Sequence, residues 1–96
     1  MMPQEYNKIN THKQKSGESM NKEIEKQIGA NIRSLRERAG MTQDGLAARL
    51  QLAGCDMTRS AIAKIEVGQR HVYPDELILL QRILGASYEE ILRIPD

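Results

Sequence analysis

Few side chains in this 96-residue chain have chemistry to offer: two histidines, one cysteine and fourteen lysines and arginines. His12 and His71 lie far apart, and neither joins Cys55 or a serine in an arrangement that would activate a nucleophile. No His/Cys cluster has metal-ligand spacing, and no glycine-rich loop is placed to cradle a phosphate. Cys55 precedes Asp56, whose carboxylate disfavours a thiolate. These features predict a non-enzymatic protein without a metal, cofactor or small-molecule ligand. The basic residues point elsewhere. Between Arg33 and Arg70, seven of them (Arg33, Arg36, Arg38, Arg49, Arg59, Lys64, Arg70) face four acids (Glu37, Asp44, Asp56, Glu66). From His71 to Asp96, two arginines face five acids. The net charge of +1 thus hides a segment of +3 followed by one of −3, and the first can be a footprint for phosphate.

The elements that must position these groups are helical. Phe and Trp are absent, and ten Ile, nine Leu and eight Ala supply most of the apolar residues. The missing aromatics also count against a stacking platform for single-stranded nucleic acid. No run of 18 apolar residues predicts a membrane span, and no apolar h-region predicts a signal peptide. A lone cysteine suits a reducing compartment, so the expected location is the cytoplasm, on the nucleoid.

Residues 1–21 are rich in Gln, Asn, Lys and Ser without apolar periodicity, and are expected to form a disordered polar tail ahead of one domain over residues 22–96. From Lys22 to Ala39 the apolar positions Ile24, Ile28, Ile32 and Leu35 mark one face of a helix, stopped by Gly40. Thr42 caps a second helix, Gln43 to about Ala53, with Leu46, Ala47, Leu50 and Ala53 as its inward candidates. Gly45 within it costs about 1 kcal/mol relative to Ala, which suggests close packing. Thr58 caps a third helix, Arg59 to about Val67, with Ala61, Ile62 and Ile65 inward and Gly68 as its stop. Gln69 to Tyr73 form a loop. Pro74 opens a fourth helix that runs to Leu84, with Asp75 and Glu76 complementing its dipole. Ser87 caps a last helix, Tyr88 to about Arg93. No segment alternates with period two, so the fold class is all-α with five helices.

On the third helix, Ile62 and Ile65 take the packing duties and leave Arg59, Ser60, Ala63 and Lys64 on the remaining arc. A helix with such a face can enter the major groove of duplex DNA. Arg59 can pair bidentately with guanine O6 and N7, and Lys64 can reach guanine or a phosphate. Ser60 can donate or accept, and Ala63 can touch a thymine methyl. A merely solvated face has the same composition, and what separates the two is the flanking sequence.

That flanking sequence resembles the phage repressor/Cro-type helix-turn-helix family, also called the XRE family. The resemblance covers about residues 27–92. It rests on the Arg-x-x-x-Gly-Met-Thr-Gln stretch at Arg36 to Gln43, the Leu46–Ala47 pair, and the Ile-x-x-Ile-Glu-x-Gly run at Ile62 to Gly68. It implies a compact repressor-like domain that binds double-stranded DNA as a transcriptional regulator, with Arg59, Ser60, Ala63 and Lys64 reading bases. It also implies phosphate contacts from Thr42, Gln43, Arg70 and His71, Gln43 being further favoured by its place at a helix N-terminus. Arg36 and Glu66 match positions that the family pairs structurally across the first and third helices.

Two departures stand out. Gln51 to Met57 make the passage from the second to the third helix roughly five residues longer than the family's usual turn, which predicts a longer second helix and a reshaped link. Leu79 falls where a polar residue is usual and Gln81 where a small apolar one is, so Leu79 and Ile78 are candidates for an apolar patch. A single domain of this type buries a modest interface, which predicts a homodimer on a two-fold operator, with the fourth and fifth helices as the dimer surface. A module that works through protein contacts, such as an antitoxin or adaptor, is the alternative the same fold allows.

Overall fold

The computed structural model describes residues 21–96, which form five helices: α1 (Lys22–Arg38), α2 (Gln43–Leu52), α3 (Arg59–Glu66), α4 (Pro74–Leu84) and α5 (Tyr88–Leu92). No strand occurs among the described residues. The expected polar tail falls, apart from Asn21, outside them. Asn21 itself caps α1: its Oδ1 accepts from the backbone N–H groups of Glu23 and Ile24 at 3.0 and 3.2 Å.

Helix boundaries follow local chemistry. Thr42, Thr58 and Ser87 cap α2, α3 and α5 through hydroxyls that accept from Gly45, Ala61 and Glu90 N–H. Ser87 and Glu90 complete a reciprocal capping box. The first four helices end alike, with a glycine at positive φ followed by a residue whose N–H returns to the last turn (Met41 to Arg36, Cys55 to Leu50, Gln69 to Lys64, Ala86 to Gln81).

α1 packs across α3 and α5, α2 lies against α3 and α4, and α4 touches α5. The core they enclose is aliphatic: Ile32, Leu46, Leu50, Met57, Ile62, Leu80 and Ile91 are almost wholly buried. Two inward expectations are corrected. Ile24 is exposed because the first turn of α1 runs past the packed surface, and Ala53 is exposed because α2 ends one residue earlier.

α1 and α3 approach closely through Gly29, an interior helix position. A Cβ there would run into the Ile65 carbonyl and lie 2.9 Å from the Glu66 carbonyl carbon. Gly68, at φ +80°, extends this approach, since a Cβ on it would sit 2.8 Å from Lys26 Cα. Gly45 has no such role: a Cβ there would meet only the Thr42 hydroxyl, at 3.2 Å, so the cap sets its surroundings and no helix packs on it.

The long passage between α2 and α3 is ordered by its own contacts. α2 runs to Leu52, a residue that is 89% exposed. The Cys55 N–H then closes onto Leu50 O, Gln51 Nε2 donates to Met57 O at 3.0 Å, and Met57 enters the core.

Candidate nucleic-acid interface

Arg36 and Glu66 meet at the heart of the helix pair. Arg36 Nε donates to Glu66 Oε2 at 2.7 Å and Nη2 to Oε1 at 3.1 Å, while Nη1 donates to Met41 O at 2.8 Å. Both residues are buried. The hydrogen bonds it donates to Glu66 raise the Arg36 pKa further, against the opposing effect of burial, so the guanidinium stays charged. Gln43 joins them, its Nε2 donating to Glu66 Oε1 at 3.0 Å. One carboxylate thereby ties α1, the start of α2 and the end of α3 together. This hook was not legible from the positions of Gln43 and Glu66 in the chain.

The exposed arc of α3 carries Arg59, Ser60 and Lys64, with Ala63 half-buried beside them. Arg59 stands at the first position of α3 and lies near the first turn of α2, its Nε 3.9 Å from Asp44 Oδ1. Both side chains are well exposed. The start of α2 therefore lies beside both ends of α3, through Gln43 at Glu66 and Asp44 at Arg59.

Thr42, expected at phosphate, has its hydroxyl engaged with the Gly45 N–H at 3.0 Å. Arg70 and His71 stand apart from the α3 face in their contacts. Arg70 donates to both carboxylate oxygens of Glu76 at 3.0 Å and to His71 O at 2.8 Å, and its guanidinium lies 5.7 Å from the Tyr73 ring centre. His71 Nδ1 lies 3.1 Å from Glu25 Oε2 on α1. The loop after α3 is thus tied to α4 on one side and α1 on the other. At Glu76, burial pushes the carboxyl up, but the Arg70 fork and the Tyr73 N–H outweigh it and hold it below the ordinary carboxylate range. The signal for this clamp was present in Glu76 six residues after Arg70, though charge alone does not select it over Asp75.

Cys55 is half-buried. Burial first, and the carboxylates of Glu76 and Asp75 next, push its thiol up, with Asp56 contributing least. Ile78 is exposed and Leu79 half-buried, and Gln81 fills its unusual position by donating to Ala86 O at 2.9 Å. No group of acidic, histidine or cysteine side chains among the described residues could hold a metal ion. No helix among them is long and apolar enough to cross a membrane.

The packed α2–α3 pair has the two-helix layout of a helix-turn-helix, with residues 53–58 in place of that motif's usual turn of about three to four residues. Residues 27–93 match the model of the helix-turn-helix domain family, and the chain belongs to that family. Among solved structures it is similar to the crystal structure of the DNA-binding domain of BldD, with a TM-score of 0.64 and 26% identity over 76% of this chain and 99% of that one. No curated protein matches the chain.

Proposed function

We propose that the domain binds double-stranded DNA sequence-specifically as a transcriptional regulator of the repressor/Cro type, reading the major groove with α3. The observation that carries this is the outer face of α3, where Arg59, Ser60 and Lys64 stand exposed beside the N-terminus of α2. The similarity to the DNA-binding domain of BldD supports the same partner. Arg59 pairs with a guanine, Lys64 with guanine or phosphate, and Ser60 and Ala63 complete the base contacts. At the start of α2, Thr42 and Gln43 offer backbone N–H groups to a phosphate where the helix dipole favours an anion. Arg70 and His71 stiffen the loop after α3, and their phosphate contacts are secondary to that role. The domain acts as a homodimer on a two-fold operator, with exposed Ile78, Tyr88, Leu92 and Ile94 on and after α4 and α5 supplying the apolar surface. Promoter occupancy then gives repression.

Fluorescence anisotropy of a labelled duplex tests this. Binding weakens steeply between about 50 and 200 mM salt as phosphate counterions are released. Arg59→Ala costs about 1–3 kcal/mol on the selected sequence and relaxes the preference for guanine at one position. Absence of binding at low salt sinks the DNA hypothesis and leaves a module that works through protein contacts.

A further inference from the structure

Asp44 is an acid on the proposed DNA-facing surface, in the first turn of α2 and next to the base-reading face of α3. Its carboxylate complements the dipole of the first turn of α2. Any surface acid could do that elsewhere on the helix end, however, without opposing an incoming phosphate. What distinguishes Asp44 is its neighbour: Oδ1 lies 3.9 Å from Arg59 Nε, with both side chains reaching into solvent from different helices.

From these contacts we infer that Asp44 determines specificity by orienting Arg59, which rests on Arg59 being a base-reading residue. A guanidinium has two usable edges. At 3.9 Å the Asp44 carboxylate makes an ion-pair contact without a hydrogen bond; its charge draws the Nε edge toward α2 and leaves the Nη1–Nη2 fork free, and that fork matches guanine O6 and N7. Arg59 otherwise has a long, flexible stem and can swing to the nearest phosphate, a contact that carries no sequence information. Asp44 acts on both outcomes. It holds Arg59 in the base-reading orientation, and it repels the phosphate backbone wherever no guanine offers compensation. Asp44 is a positioning residue and touches no base itself.

The test uses the full chain and duplexes selected from a random library by the wild type. Asp44→Asn keeps the size of the side chain and removes its charge, and its helical circular dichroism and melting profile check the fold. For an exposed pair the expected change is about two- to fivefold. Asp44→Asn therefore loses about that factor in preference for guanine over the other bases at the Arg59 position, while binding to unrelated duplex tightens. Asp44→Glu, which keeps the charge, restores part of the preference. In an Arg59→Ala background, Asp44→Asn leaves base preference unchanged. If Arg59→Ala abolishes the guanine preference but Asp44→Asn alters nothing, or tightens all duplexes equally, the inference is overturned while the reading of α3 survives. If Arg59→Ala leaves base preference intact, both are overturned.

Discussion

The buried carboxylate of Glu66 offers the sharpest test of how this domain is held together. Glu66 accepts three hydrogen bonds, two from Arg36 and one from Gln43. Glu66→Ala leaves the buried Arg36 guanidinium with only Met41 O, and a buried pair broken on one side costs about 3–5 kcal/mol. A domain of this length has about 4–11 kcal/mol in total at about 0.05–0.15 kcal/mol per residue, so the variant loses between about a quarter and all of its stability. At about 4–8 °C per kcal/mol, its Tm drops by at least about 12 °C. Replacing both partners by apolar residues of similar volume, Arg36→Met with Glu66→Leu, removes the uncompensated charge and recovers much of the loss. Urea and thermal melts of wild type, Arg36→Met, Glu66→Leu and the double variant give the coupling energy, expected at about 2 kcal/mol or more. A Glu66→Ala domain within about 1 kcal/mol of wild type would refute the claim that this network is a main tie between α1, α2 and α3.

Gly29→Ala forces α1 away from the Ile65 carbonyl and costs about 1–3 kcal/mol by overpacking, although Ala has the better helix propensity; a gain in Tm would contradict the close approach. Met57→Ala empties a buried site and costs about 2–5 kcal/mol in a urea melt, far more than Leu52→Ala at the exposed end of α2, and equal costs would show that the link does not anchor the core. The Glu76 carboxyl titrates below its ordinary range in the folded state, so its contribution is present above the unfolded value of about 4.3 and is lost as pH falls through the folded one. Glu76→Gln therefore shows a shallower stability loss than wild type between about pH 5 and 2, and identical slopes would remove the Arg70 clamp as the cause.

The helices were legible because their signals are local. Hydroxyl caps at Thr42, Thr58 and Ser87 and the glycines that follow α1 to α4 each act within one turn, and the aliphatic spacing marks the inward faces. Periodicity says which side of a helix is apolar, not how far its neighbour extends, so Ile24 was expected inside and lies outside. Met57 sits in a stretch without a period and carries no local mark of burial. Gly29 was masked by the habit of glycine as a helix stop, although a glycine in the middle of a strong helix pattern is itself a sign of close contact. The α3 arc followed from subtracting Ile62 and Ile65 from an eight-residue helix. The partners of Arg70, His71 and Gln43 depend on tertiary approach: Glu25 and His71 are brought together from 46 residues apart, and nothing in either segment specifies the other.

The lengthened passage between α2 and α3 would be expected to loosen the relation between the two helices, and the contacts argue that it does not. A connecting segment fixes the geometry of a helix pair only when nothing else does. Here the start of α2 is held at the far end of α3 by Gln43 on Glu66, and it lies against the near end through Asp44 and Arg59. The extra residues enter at the other end of α2, where Leu52 projects into solvent and Met57 returns the chain to the core before the Thr58 cap. Because the insertion and the ties sit at opposite ends of α2, chain length in the link is decoupled from the register between the α2 N-terminus and the outer face of α3. In the proposed docking, that register would set the distance from a phosphate at α2 to a base under Arg59. A longer link is therefore compatible with the same mode of docking.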